Sequence, residues 1–245
     1  MRRLVFVAAA VLTVCMSPSA VRAQTLDDII AANLKSKGGL ETIKATTTVR
    51  MSGSLVARDM SGQNVKGTMV TTAKRPNLMR RDATLGARKS VNGFDGTTLW
   101  IAIDDRPPQS LPGTEGAYAA QDAEFDSVFV DYKEKGQRIE LAGKDTIDGK
   151  PVYRLRVTKK SGPPQDFYLD AETGLERRVS VSLRAPDGTP VTNVTEFLDY
   201  RNVDGRMVPF TTRQTQNGDV IATVTLDKVE FNVPIDDAFF KMPAK

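Results

Sequence analysis

The chain of 245 residues contains no histidine, and its single cysteine is Cys15. Without histidine there is no ready general base near neutral pH, no usual zinc-ligand set, and no Ser-His or Cys-His nucleophile pair. Neither a GxxxxGK[ST] nor a GxGxxG loop occurs, so a phosphate-cradling nucleotide site has no support. Carboxylate-only catalysis survives, because Asp and Glu together number 30. Nothing in their placement singles out a pair. The expectation is a protein that is not an enzyme and that uses no metal and no cofactor.

The first residues set the compartment. Met1-Arg2-Arg3 is a positive start, Leu4 to Val14 is an apolar run, and Val21-Arg22-Ala23 ends in small residues. That order is a secretory signal peptide cut before Gln24, because eleven residues are too few to span a bilayer. Leu12-Thr13-Val14-Cys15 partly matches a lipidation signal, but Val14 is bulky where a small residue is wanted. Residues 1–23 are thus expected to be removed, leaving 24–245 as one exported domain with no stable membrane insertion. Removal takes three of the 34 Lys and Arg and none of the 30 acids, so 31 bases face 30 acids and the net charge is +1. Such a balance gives no warrant for nucleic acid as a partner. No cysteine is left to form a disulfide, so the fold must rest on its core.

Thr25 is placed to cap a short helix whose Leu26, Ile29, Ile30 and Leu34 share one face, and Gly38-Gly39 ends it. Leu40 to Lys44 reads as a further turn or two of helix. From Thr46 the period becomes twofold: Val49, Met51 and Leu55 alternate with polar neighbours. The same alternation returns at Val179, Val181, Leu183 and at Val220, Ala222, Val224, Leu226. Asp95-Gly96, Asp148-Gly149, Asp187-Gly188, Asp204-Gly205 and Asn217-Gly218 punctuate these runs with the positive φ angles that tight hairpins need. The pattern predicts about ten or eleven strands in an antiparallel meander, wide enough to curl into a barrel or partial barrel.

One segment departs from the rhythm. Arg106 to Gly113 holds three prolines and cannot be a central strand. From about Ala117 to Lys135 the spacing of Phe125, Val128, Phe129 and Tyr132 predicts an amphipathic helix, laid over the open mouth of the curled sheet.

The most specific run is Lys74-Arg75-Pro76-Asn77-Leu78, followed by Asp95-Gly96-Thr97-Thr98-Leu99-Trp100. With these two motifs in this order, the chain resembles the LolA-like family, which includes periplasmic carriers of outer-membrane lipoproteins and their lipid-binding relatives. The Tyr168 to Gly174 turn and the first helix extend the resemblance. It implies a mainly β fold, a half-open antiparallel barrel with an N-terminal helix and a helical lid around an apolar cavity. It also implies a periplasmic carrier of lipid or lipoprotein acyl chains, served by a donor at the inner membrane and an acceptor at the outer membrane.

Arg75 matches the family arginine that holds the lid shut, a role for which its five donors suit it. The residues expected to line the cavity are Val49, Met51, Leu55, Trp100, Phe125, Phe129, Phe167, Leu169, Val181, Leu183, Phe197 and Leu226. An apolar stripe on a strand is more often plain core than ligand wall, and Trp100 is read the same way. Lys74, Arg75, Arg80, Arg81, Arg88 and Lys89 against Asp82 form a basic run, either a solvated face or a docking patch for anionic headgroups. The alternative to a carrier is a periplasmic sensor or scaffold that binds a partner protein through the same fold.

Overall fold

The computed structural model describes residues 24–59, 61–111, 123–160, 162–185 and 187–244. The expected signal peptide, Cys15, and the first part of the expected lid helix lie outside the described residues. Helix α1 spans Leu26–Ser36, opened by a reciprocal capping box in which Thr25 accepts from the Asp28 amide and the Asp28 carboxylate accepts from the Thr25 amide. A second helix, α2, spans Leu40–Ala45.

Thirteen strands follow among the described residues: β1 (Thr48–Arg58), β2 (Asn64–Lys74), β3 (Leu78–Leu85), β4 (Arg88–Asp95), β5 (Leu99–Ile103), β6 (Gln109–Ser110), β7 (Arg138–Ile147), β8 (Lys150–Thr158), β9 (Gln165–Asp170), β10 (Glu176–Arg184), β11 (Pro190–Val203), β12 (Arg206–Gln216) and β13 (Asp219–Phe231). They form one antiparallel sheet in the order β6-β5-β4-β3-β2-β1-β13-β12-β11-β10-β9-β8-β7. Every neighbour is also a neighbour in sequence except at β1 and β13. The sheet does not close, which leaves a half-open barrel with edges at β6 and β7. Hairpin turns at Asp148-Gly149, Asp204-Gly205 and Asn217-Gly218 have positive φ at both residues, as two-residue loops require.

The count exceeds the expected ten or eleven, in part because the proline segment contributes β6. It is two residues long and sits at the edge, where a missing amide donor does no harm. The expected lid helix is corrected: residues 123–136 form successive turns with no regular α-helix. The Phe125 amide donates to the Pro76 carbonyl instead of to a carbonyl of its own segment, and Asp131 takes φ 50°. Apolar spacing there serves contacts on two sides, not one helical stripe.

The core is divided. Ile29 and Ile30 of α1 pack with Phe129, Ile139, Leu155, Val157 and Leu169, filling the sheet over β7 to β9. Two polar contacts fix α1 at this end: Asn33 donates to the Gly174 carbonyl at 2.8 Å, and Lys37 meets Glu176 at 2.5 Å. A second cluster, Phe210, Leu226 and Val229, lies over β12 and β13. On the opposite face of the sheet, Trp100 is fully buried and its indole N–H donates to the Phe240 carbonyl at 2.9 Å. Phe240 belongs to a 3-10 helix, Asp237–Phe240, that covers this face. The Trp100 ring lies flat on Gly93, its cross-strand partner: a Cβ there would come within 2.2 Å of the ring.

Two outcomes follow. Gly93→Ala should destabilise by about 1–3 kcal/mol through overpacking and shift tryptophan emission; unchanged denaturation and emission would contradict the stacking. The second concerns Asp170, whose carboxylate accepts from the Glu172 and Thr173 amides at 3.0 and 2.9 Å. Burial pushes the carboxyl up, but those bonds, the Thr173 hydroxyl and Arg177 together outweigh it and hold it below the ordinary range. A lowered folded pKa means stability that is complete above about pH 3.9, the unfolded value, and lost as pH falls through the folded one. Asp170→Asn should therefore cost on the order of 1 kcal/mol at neutral pH, with the gap from the parent narrowing below about pH 4. A gap that stays constant in acid, measured by urea unfolding, refutes the assignment.

Candidate functional site

A cavity of about 420 Å³ lies between the sheet and the segment that follows residue 122. Its wall comes from alternate residues of β1 to β5: Val49 and Met51, Thr71 and Ala73, Met79 and Arg81, Asn92, and Leu99 and Ile101. Ala123, Glu124 and Phe125 border it on the side away from the sheet, and the space stays partly open. A smaller space of about 210 Å³, bordered by Ile43, Thr46, Arg206 and Phe231, shares Val49 and Phe125 with it. Phe125 therefore stands between the two spaces. The larger volume falls within the ordinary range for small-molecule pockets, about 300–1,000 Å³.

Both sequence motifs meet at this end of the sheet. Leu78 pairs with Lys74 on one side and with Asp95 on the other, which sets the Arg75–Asn77 turn beside the Gly96–Thr98 turn. The second turn is held by the Asp95 carboxylate, which accepts from the Thr97 and Thr98 amides at 3.0 and 2.8 Å.

Arg75 is the junction. Its guanidinium grips Asp126 through two bonds of 2.5 and 2.6 Å, a bidentate fork. Nε donates to the Thr46 carbonyl at 2.6 Å and Nη2 to the Ile43 carbonyl at 2.7 Å, both at the C-terminal end of α2. The Ile43 carbonyl also accepts from the Thr46 amide at 3.2 Å, and both carbonyls lie at the negative end of the helix, which suits a cation there. The guanidinium also lies 4.8 Å from the Phe125 ring centroid. One side chain thus joins α2, the β2–β3 turn and the covering segment. Lys44–Asp131 at 2.8 Å and the Lys135–Glu124 pair add further ties along that segment.

Of the residues expected to line the cavity, Val49, Met51 and Phe125 do so with their side chains on the cavity side. Trp100 borders it, but its ring is turned to the other face of the sheet, as the alternation from Ile101 requires. Phe129, Phe167 and Leu169 belong to the solid core beneath α1, with Phe129 and Phe167 in edge-to-face contact at 5.3 Å. Leu226 is core over β12 and β13. Leu55 and Phe197 are half-buried outside the cavity, as is Val181, and Leu183 is exposed at 38%. Sequence reading missed Asp126, the partner of Arg75, and the polar wall residues Thr71, Arg81 and Asn92. Arg81 sits two residues from Met79, a sign that it shares the cavity face.

Much of the basic run is paired: Lys74 with Asp237, Arg75 with Asp126, Arg80 with Asp82 and Arg88 with Asp104, while Arg81 borders the cavity and Lys89 is exposed. Among the described residues no group of three or more His, Cys, Asp or Glu is placed to hold a metal. No described helix is long and apolar enough to cross a membrane.

A half-open antiparallel barrel covered across its mouth is the LolA-like fold, and solved structures bear this out. A LolA superfamily protein from Nitrosomonas europaea superposes with a TM-score of 0.60 at 14% identity, over 89% of this chain and 98% of that one. A DUF1329 family protein from Desulfovibrio piger gives 0.62 at 12% identity, again over 89% and 98%. A domain described as outer membrane lipoprotein-sorting, from Vibrio parahaemolyticus, gives 0.56 at 11% identity over 82% and 93%. By sequence, no family model and no curated protein matches the chain.

The Arg75 junction makes a direct prediction. Arg75→Leu should fold, yet amide exchange at residues 124–132 should speed by about ten- to a hundredfold, from loss of charge-assisted bonds. Arg75→Lys, a point charge without the fork, should fall between. Exchange in Arg75→Leu equal to that of the parent would mean that Arg75 does not hold the segment.

Proposed function

We propose that the protein is a periplasmic carrier that shields lipid acyl chains in its cavity during transfer toward the outer membrane. The observation that carries this reading is the cavity itself, walled largely by apolar residues of β1 to β5 and covered by a segment held through one arginine. The signal-like first 23 residues support export, and the fold shared with a lipoprotein-sorting domain supports acyl cargo.

The physics of such a carrier is simple. Exposing one buried CH₂ to water costs about 0.8 kcal/mol, so a chain of about 16 carbons costs on the order of 12 kcal/mol. A lipid tail does not cross water at useful rates without a cover. An apolar cavity resembles membrane hydrocarbon, so loading and release stay near balance, and direction comes from donor and acceptor proteins. Closure of residues 123–136 over the chain adds apolar contact, while ordering that segment costs entropy and keeps retention moderate. No bond is made or broken in this process.

Native mass spectrometry of mature protein taken from the periplasm without detergent tests the reading. A lipid or acylated peptide at near-unit stoichiometry is the expected result. A clean apo mass, with no uptake of a fluorescent fatty acid, would reject the carrier and favour the sensor or scaffold that binds a partner protein.

A further inference from the structure

The two spaces beneath the covering segment share one floor. Leu99, Phe94, Met79, Ala73, Val49 and Phe231 are successive cross-strand partners on β5, β4, β3, β2, β1 and β13, and all are apolar. Leu99, Met79 and Ala73 border the larger space, Phe231 the smaller, and Val49 both. The five gaps between these strands, at roughly 4.8 Å each, make the row a strip about 24 Å long. Beside it, on β2 to β4, runs the polar row of Thr71, Arg81 and Asn92, again cross-strand partners. The apolar strip is therefore one residue wide at its centre, which suits a single extended chain better than a pair.

Nothing in the floor separates the two spaces. The division comes from the covering segment, where Phe125 alone among the described residues borders both. Its backbone is pinned: the amide donates to the Pro76 carbonyl at 3.1 Å, and the next residue, Asp126, is held by Arg75. The ring rests against the same guanidinium, 4.8 Å from its centroid, and is only half-buried. A ring so placed divides the strip by length. A dry cavity of about 150 Å³ holds a benzene, which sets a scale of about 25 Å³ per carbon. On that scale the larger space has room for about 17 carbons, and the two spaces together for about 25. We propose that Phe125 is the gauge of cargo length: the cargo is a single acyl chain of up to about 17 carbons whose tip stops against the ring. Carbons beyond that length find no wall and stay in water. This deepens the carrier reading and rests on it.

The test is displacement of a fluorescent fatty acid from the mature protein by saturated fatty acids of increasing length. For the parent, affinity should climb about threefold to fourfold per added methylene and level off near about 17 carbons. In Phe125→Ala the plateau should move to chains longer by at least about four carbons, which then bind about tenfold or more tightly than they bind the parent. Phe125→Leu should fall between. Val128→Ala, in the same segment but packed on the core beneath α1, should leave the plateau where it is. If Phe125→Ala does not fold, Phe125→Leu and the parent's own length profile decide the matter. A plateau unmoved by the substitution, or affinity reduced by one factor at every length, overturns the gauge and leaves the carrier intact. So does a parent whose affinity is still climbing well beyond about 20 carbons. Failure of the fluorescent fatty acid to bind the parent at all removes the carrier reading itself.

Discussion

The pairing of β1 with β13 joins two meanders that otherwise run separately along the chain, β1 to β6 on one side and β7 to β13 on the other. Because the first and last strands are the ones joined, the two free edges belong to β6 and β7, which are consecutive in sequence. The chain between those edges has to return from one side of the sheet to the other. In a flat sheet of thirteen strands the gap would be about 58 Å, at roughly 4.8 Å per strand. Yet Phe125 borders the cavity of β1 to β5, and Phe129, four residues on, is buried against β8 and β9. Four residues reach at most about 14 Å, so the two halves of the sheet must curl toward each other. The covering segment is thus a consequence of the strand order, and it lies across the mouth because no other path joins the edges so briefly.

That topology explains why so much converges on Arg75. Among the described residues the covering segment has no ladder partner, and its backbone takes few bonds from the sheet, the Phe125 amide to Pro76 being one. Its attachment falls to side chains. Arg75 leaves the sheet at the end of β2, next to the last carbonyls of α2, and reaches Asp126 at the same time. A lysine at this position could meet one of these groups well but not all of them, because it lacks the planar fork. The arginine side chain is 24% exposed and the Asp126 side chain 16%, so the pair is neither a screened surface contact nor a fully desolvated one. Such a pair is stronger than a screened surface contact and less costly to separate than a fully buried one.

How far the sequence carries depends on how local each feature is. Hairpins were legible because an Asp-Gly or Asn-Gly pair encodes its own φ angles, and three of the turns have both residues at positive φ. The cap of α1 was legible for the same reason. Which face of a strand turns inward follows from parity, and Val49 and Met51 border the space over β1 to β5. Depth was not legible: Phe167 and Leu169 obey the same alternation yet sit under α1 in solid core, while Leu183 reaches the rim and is exposed. Phe125, Val128, Phe129 and Tyr132 imitate a helix although Phe125 borders the cavity and the other three pack on the α1 side. The Arg81–Asn92 row depends on the register of three strands, and no short stretch of sequence records it.

The size of the cavity bears on why its wall is not uniformly apolar. Core truncations cost about 24 cal/mol per Å³ of dry void, so a sealed space of about 420 Å³ would cost on the order of 10 kcal/mol. That is comparable to the whole stability of a typical domain, about 5–15 kcal/mol. The space therefore has to be filled by solvent or by cargo. Water enters a cavity only where it finds partners, and on this wall the partners are Thr71, Arg81 and Asn92. A smooth apolar wall would favour collapse of the covering segment or association through the open face. The polar row avoids both, since it keeps the unloaded cavity wet. The polar row thus sets the hydration of a space that its apolar neighbours alone would leave to collapse.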